Sequence, residues 1–299
     1  MTHAPGMVYL IDASVYVFRA YYSIPADMVD SEGRLINAVY GYARFLGDLL
    51  ERVRPEHVVV AFDESLNTSF RNEIFPQYKA NRDDPPEDLI WQFLQCRRVT
   101  EALGVSGYAN EQFEADDIIG TLADNLRGQG KNFVVVTRDK DLAQLVREGD
   151  EYWDYASNKR FAYADIEENF GVRAEQIADM LALAGDSVDN IPGVPGVGQK
   201  TAVALLKHFD TLDDVYANLE MVAEVAVRGA KKLGDRLAKH EDLARLSRRL
   251  TGIALDAPVP TTLRSMRWIT PDLRALNTLY DELGVGQALR QQAERLTKV

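Results

Sequence analysis

Three apolar runs punctuate the first half of the chain: MVYLIDAS (Met7 to Ser14), HVVVAFDES (His57 to Ser65) and NFVVVTRDKD (Asn132 to Asp141). Continuous β-branched runs of this length predict strands buried on both faces, as in a parallel sheet. Each run closes on an aspartate, namely Asp12, Asp63 and Asp139. Between them the period changes to that of a helix. In NAVYGYARFLGDLLERV the apolar residues Val39, Tyr42, Ala43, Leu46, Leu49, Leu50 and Val53 share one face. Ile118, Ile119, Leu122, Ala123 and Leu126 do the same further on, with Gly128 and Gly130 placed to end that helix. GVSGYA (Gly104 to Ala109) and DEYWDYA (Asp150 to Ala156) predict two further strands, the second at a sheet edge. This alternation implies an α/β fold: a mostly parallel twisted sheet flanked by helices, with right-handed crossovers. From about Ile166 the pattern turns helical, so an α/β core over 7–165 and a helical region over 166–299 are expected. NRDDPPEDL (Asn81 to Leu89) is the segment expected to be exposed and mobile.

Composition adds bounds. A chain of 299 residues, 46% hydrophobic and 27% charged, can bury a sizeable core. No apolar run reaches the ~18 residues of a bilayer span, and MTHAPGM lacks the pattern of a signal peptide. The single cysteine, Cys96, rules out an internal disulfide and reads as a small buried residue. A reducing cytoplasm, with no membrane partner, is the expected setting. The net charge of −12 argues at first against a nucleic-acid partner.

The carboxylates change that picture. Ligands of parallel sheets bind at the carboxyl edge of the strands, where Asp12, Asp63 and Asp139 converge. EQFEADDIIG places Glu114, Asp116 and Asp117 at the start of a helix opening on the same edge, and Asp141 follows two residues after Asp139. Singly, each has a bland reading as a turn, an N-cap or a dipole partner. Together they do not: two unit charges ~4 Å apart repel by about 4 kcal/mol at an effective dielectric near 20. Seven in one cleft require cations or strongly raised pKa values. Oxygen ligands alone point to Mg²⁺ or Mn²⁺ rather than zinc, and the histidines at 3, 57, 208 and 240 have no metal-ligand spacing. Asp186 and Asp189, spaced i, i+3, are expected one helical turn apart on a single face.

The motifs LIDAS, VAFD, FEADDIIGTLA, TRDKDLAQLV and LAGDSVDNIPGVPGVGQKTAVALL, in this order, resemble the 5′-nuclease superfamily of 5′→3′ exonucleases and flap endonucleases. The likeness is to the amino-terminal nuclease domain of bacterial DNA polymerase I and its free-standing relatives, and covers roughly Met7 to Leu255. It implies a PIN-like core with a helical arch at about 70–90 and a helix-hairpin-helix at about 183–210. It also implies two Mg²⁺ or Mn²⁺ ions. One would be held by Asp12, Asp63, Glu114, Asp116, Asp117 and Asp139, the other by Asp139, Asp141, Asp186 and Asp189. Arg138 departs from the family pattern, where a small residue or proline is commoner, and puts a cation beside Asp139. The implied reaction is hydrolysis of DNA at or near a 5′ end, in nicked, gapped or 5′-flapped duplex, to a 5′-phosphate and a 3′-hydroxyl. Its expected role is primer removal or DNA repair.

FRNEIFPQYKANR (Phe70 to Arg82) reads on its own as an amphipathic surface helix. Against the family it is the start of the arch, where Lys79 and Arg82 meet the scissile phosphate and Arg71 and Tyr78 contact DNA. Arg19 matches an arginine near the same phosphate, and Tyr22 is left open between base stacking and core packing. GVPGVGQKTA reads as a tight loop or as a hairpin gripping duplex through Gly193, Gly196 and Gly198, with Lys200 and Lys207 on phosphates. By the family pattern the carbonyls of Leu183, Ala184, Pro192, Val194 and Val197 hold a K⁺ ion. Nine site carboxylates account for −9 of the −12, so the acidity sits where metal is expected. Two other readings stand beside this one, a PIN-type ribonuclease and a non-catalytic junction-binding protein. The expected state is a free-standing monomer with a DNA polymerase as partner.

Overall fold

A computed structural model of the chain describes residues 6–64 and 68–298. Ser65, the last residue of the second apolar run, lies outside them. Six strands, β1 (Val8–Asp12), β2 (His57–Asp63), β3 (Ser106–Asn110), β4 (Phe133–Val136), β5 (Glu151–Asp154) and β6 (Lys159–Ala162), form one sheet in the order β3-β2-β1-β4-β5-β6. All neighbours are parallel except β5 and β6, which pair antiparallel. The expected α/β architecture is therefore the one observed. DEYWDYA forms β5, but the edge belongs to β6, whose KRFA carries too few apolar residues to read as a strand. Strand β4 stops at Val136, so Asp139 lies three residues past the strand and not at its end.

The helices in chain order are α1 (Ala13–Ser23), α2 (Asn37–Val53), α3 (Phe70–Ile74), α4 (Glu87–Ala102), α5 (Ala115–Gly128), α6 (Tyr163–Phe170), α7 (Ile177–Ala184), α8 (Gln199–Phe209), α9 (Leu212–Ala217), α10 (Leu233–Lys239), α11 (Glu241–Thr251), α12 (Leu273–Glu282) and α13 (Gln287–Leu296). Strand alternation divides the core. Val8 and Leu10 point into one apolar cluster with Ile118, Ile119 and Leu122 of α5, and this cluster runs on into Leu183 and Leu205 of the helical region. Tyr9 and Ile11 point to the other face, against Tyr42, Leu46 and Leu49 of α2. The second cluster is closed by Leu276 and Tyr280 of α12 and Leu289 and Leu296 of α13, so the carboxyl-terminal helices return to the sheet.

Two local expectations change. Glu87 to Leu89 form the first turn of α4, with Pro86 at its N-cap, so only the front of NRDDPPEDL is irregular. Asp186 and Asp189 are not on a helix face. Gly185, at φ +74°, ends α7, and Asp186 then pairs with Ile191 in an antiparallel bridge while its side chain accepts from the Val188 N–H. No helix among the described residues is long and apolar enough to cross a membrane.

Candidate functional site

The acids gather at the carboxyl edge of the sheet, and the local backbone explains how each is held. Asp12 is the last residue of β1 and the N-cap of α1. Its Oδ1 accepts from the Ser14 N–H at 3.1 Å and its Oδ2 from the Thr137 hydroxyl at 2.9 Å. Asp63 ends β2 on the adjacent strand, where it accepts from the Ala115 N–H (2.7 Å) at the start of α5 and from the Ser14 hydroxyl (2.5 Å). Glu114 is the N-cap of α5, with Asp116 in its first turn. Asp139 and Asp141 sit in the turn after β4, tied by an Asp141 N–H to Asp139 Oδ1 bond of 2.9 Å. Capping and a shared acidic cleft are thus two uses of the same side chains. Ser14 and Thr137, the hydroxyls that orient Asp63 and Asp12, were missed in the sequence. The only signal was a hydroxyl residue two positions from an acid of the cleft, Ser14 after Asp12 and Thr137 before Asp139.

Mutual repulsion is visible in the proton affinities. Burial, then Asp63 and Asp139, push Asp12 up to about 7. Burial, Asp139, Asp12, Asp63 and Glu114 hold Asp116 well above the usual carboxylate range. Asp141 is raised by burial together with Asp139, Asp186 and Asp189. For Asp139, burial and Asp189 raise the pKa against the opposing Asp141 N–H; its carboxylate touches solvent but protein crowds the cleft around it. Glu114, 6% exposed, is raised by burial although Lys79 and Arg71 pull it down. Among the described residues no three such groups draw in to a common ligating point. Glu114 and Asp189 turn instead to built-in cations. Lys79 Nζ lies 2.9 Å from Glu114 and 3.8 Å from Asp189, and Arg82 pairs with Asp189. Burial alone would lower the Lys79 pKa, but Glu114, Asp189 and Asp63 outweigh it.

Three expectations on this edge are corrected. Both Asp117 oxygens are taken: Arg71 Nη1 and Nη2 donate to them at 2.7 Å each, and the Ala254 and Glu114 N–H groups add bonds of 2.9 and 3.1 Å. With no exposed surface and no free lone pair toward the cleft, Asp117 is a structural anion and not a metal ligand. Arg71, 3% exposed, also donates to the carbonyls of Leu250 and Gly252, so it joins α3 and α5 to the end of α11 and is not on an exposed surface. Tyr78, 4% exposed, packs with Ile191 and Leu250 and donates its hydroxyl toward Glu114 and Asp189, so it is buried against the acidic cleft and not on an exposed surface.

The other predicted positions fall at the rim. Arg19 is exposed on α1, and Tyr22, 74% exposed, is not a core residue. Arg138 lies 3.5 Å from Asp154 on β5, so its charge is partly directed off Asp139. Beside the acids is an unpredicted cavity of about 870 Å³, lined by Phe18, Tyr22, Ile90, Phe93 and Leu94 and reaching Asp63, Lys79 and Glu114. At the hairpin, Gly193 (φ +59°) and Gly196 (φ +77°) take left-handed conformations, and Gly198 caps α8. A Cβ on Gly193 would stand 2.2 Å from the Gly185 nitrogen, so only glycine fits. The Leu183 and Val194 carbonyls already accept from the N–H groups of Val194 and Val197. Ala184 ends α7, and Pro192 lies directly against Gly185 after it. Lys200 and Lys207 are exposed on α8, Lys207 at 3.6 Å from Glu167.

A parallel sheet whose carboxyl edge gathers this many acids, with lysine and arginine reaching in from one side, defines a carboxylate-site nuclease. Comparison with known proteins specifies which kind. The chain belongs to the 5′-3′ exonuclease family: residues 7–171 match its N-terminal resolvase-like domain and residues 172–274 its C-terminal SAM fold. It is 32% identical to a 5′-3′ exonuclease of Buchnera aphidicola subsp. Acyrthosiphon pisum, covering 87% of this chain and 90% of that protein. It is 37% identical to DNA polymerase I of Bacillus subtilis over 100% of this chain but 34% of the polymerase, so it spans about a third of that relative's length. In fold it is similar to the bacteriophage T5 flap endonuclease solved as a pseudo-enzyme-product complex with DNA and metal ions. That match has a TM-score of 0.66 and 19% identity, and covers 98% of this chain and 99% of the other.

Proposed function

We propose that the chain is a divalent-metal-dependent 5′→3′ exonuclease and 5′-flap endonuclease acting on DNA. The observation that carries this reading is the cluster of acids at the carboxyl edge of the sheet, spanned by Lys79 and Arg82, whose proton affinities are raised first by burial and then by one another. Such a donor set, all oxygen and short of positive charge, fits Mg²⁺ or Mn²⁺. Asp12, Asp63, Glu114, Asp116 and Asp139 would hold one ion, and Asp139, Asp141, Asp186 and Asp189 the other. When bound, the ions would supply Lewis-acid activation of water and neutralisation of charge at the phosphate.

The chain's own residues do the rest. Thr137 and Ser14 fix the orientation of Asp12 and Asp63. Lys79 and Arg82, released from Glu114 and Asp189, stabilise the negative charge that gathers on the phosphate in the transition state. Exposed Arg19 adds a cation at the same rim. Exposed Gly196 and Gly198 would let backbone N–H groups approach the duplex, while buried Gly193, whose N–H donates to the Ser247 hydroxyl at 3.0 Å, shapes the turn, with Lys200 and Lys207 on neighbouring phosphates. A K⁺ ion at the hairpin carbonyls would complete that grip. The relatives named DNA polymerase I support a role in primer removal or repair alongside a polymerase.

The test is digestion of end-labelled 5′-flap, nicked and blunt DNA, and of matched RNA, with Mg²⁺ or Mn²⁺. Short 5′-phosphorylated DNA products are expected, with Asp116→Ala inactive yet still binding flaps in Ca²⁺. Preferential cutting of RNA, or tight flap binding by wild type with no cutting, would overturn the reading.

A further inference from the structure

Lys79 and Arg82 do not sit on a regular helix. Helix α3 ends at Ile74, and the two cations occupy the irregular stretch before α4. Turn bonds from the N–H groups of Tyr78, Ala80 and Arg82 to the carbonyls of Phe75, Gln77 and Lys79 shape the stretch locally, but they do not anchor it to the rest of the molecule. The structure shows a second turn, residues 186–190, laid directly against this stretch. Asn190 Nδ2 donates to the Gln77 carbonyl at 2.6 Å. Asn81 Nδ2 donates to the Ser187 carbonyl at 2.8 Å, and the Lys79 N–H to the Asp189 carbonyl at 3.0 Å. Lys79 and Asn190 both take left-handed φ of +56°. Beneath the seam Tyr78, Ile191 and Leu250 form a small apolar cluster of their own.

We infer that Asn81 and Asn190 are positioning residues, forming a strap that holds the Lys79/Arg82 segment over the acidic cleft. The strap presupposes that Lys79 and Arg82 serve the scissile phosphate, and charge is what makes it necessary. Ion pairs to Glu114 and Asp189 also hold the segment, but divalent ions would take over those carboxylates and a phosphate would take over Lys79 and Arg82. Neutral amide-to-carbonyl bonds are indifferent to that exchange. The side chains can then leave the carboxylates while the backbone stays in place. Because residues 186–190 lead directly into the hairpin at Gly193, the strap also ties the cations to the element expected to grip duplex.

The test uses Asn190→Gly, which keeps the left-handed backbone and deletes the amide, together with Asn81→Ala and the double variant. Loss of one neutral hydrogen bond is expected to slow single-turnover cleavage of a 5′-flap about 3- to 10-fold, and loss of both about 30-fold. Flap affinity in Ca²⁺ and Mn²⁺ affinity measured by paramagnetic resonance should stay within about 2-fold. Hydrogen exchange at the Lys79 amide should accelerate in the metal-free double variant. Wild-type cleavage and exchange in the double variant would overturn the strap. So would a rate loss matched by an equal loss of Mn²⁺ affinity, which would place the effect at Asp189. Lys79→Ala is run in parallel: full activity there would overturn the underlying reading of Lys79, leaving the strap nothing to position.

Discussion

Arg71→Met tests the reassignment of the most buried pair in the site. The substitution keeps the bulk of the arginine stem and removes the guanidinium. Asp117 would lose two charge-assisted bonds of 2.7 Å and keep two backbone N–H donors at 2.9 and 3.1 Å, with no exposed surface through which water could replace the loss. Removing one partner of a buried ion pair costs about 3–5 kcal/mol, because a charge is left uncompensated. Leu250 and Gly252 would also lose a donor to their carbonyls. Against a total stability of about 5–15 kcal/mol the variant should fold near its margin. At roughly 2–4 °C per kcal/mol, the midpoint should fall by about 6–20 °C. The assays are thermal and urea unfolding followed by circular dichroism in EDTA, paired with Mn²⁺ titration of the folded protein. Asp117→Asn should cost a similar amount, since its NH₂ would face two N–H donors in place of an accepting oxygen and Arg71 would be left a buried, uncompensated cation. Stability within 1 kcal/mol of wild type, combined with a tenfold or greater loss of Mn²⁺ affinity in either variant, would refute the reasoning and return both residues to the ligand set.

The raised carboxylates predict an unusual pH response. Asp12, with a folded pKa of about 7, contributes stability that is full below its unfolded value near 4 and lost as pH rises through 7. Asp116 and Asp141 act in the same direction. The urea midpoint in EDTA should therefore be higher at pH 5 than at pH 8, with Mg²⁺ removing the difference; a midpoint that rises with pH would contradict this. Gly193→Ala forces a Cβ to within 2.2 Å of the Gly185 nitrogen at φ +59°, so duplex affinity should fall at least tenfold, measured by fluorescence anisotropy. Wild-type affinity would show that the hairpin is not the grip. Lys200→Ala should weaken binding of all duplexes alike and shallow the salt dependence by about one unit of slope; an unchanged slope removes Lys200 from the interface.

Much of this architecture was legible because buried parallel strands and amphipathic helices leave unmistakable periods. LIDAS and VAFD announce both a strand and the acid at its end. Less was legible where side chains choose among partners. Nothing in EADDI distinguishes Asp116, which faces its fellow acids, from Asp117, which faces Arg71 forty-six positions away. Helix rotation decides it, and a shift of one residue turns a side chain by about 100°. Likewise the i, i+3 spacing of Asp186 and Asp189 mimics a helix, whereas Gly185 has already ended one. Edge strand β6 went unread because KRFA has a single large apolar residue, and its pairing with β5 comes from the turn between them. The return of α12 and α13 onto the sheet depends on long-range packing that no local pattern carries.

The central claim is that the acidic edge of the sheet is a divalent-metal site. Anomalous diffraction from crystals soaked in Mn²⁺ tests it most directly. The account predicts strong peaks within the cleft bounded by Asp12, Asp116, Asp139 and Asp189, and their loss in Asp116→Ala. No peak there in wild-type crystals, or manganese bound instead beside Asp117, would contradict it.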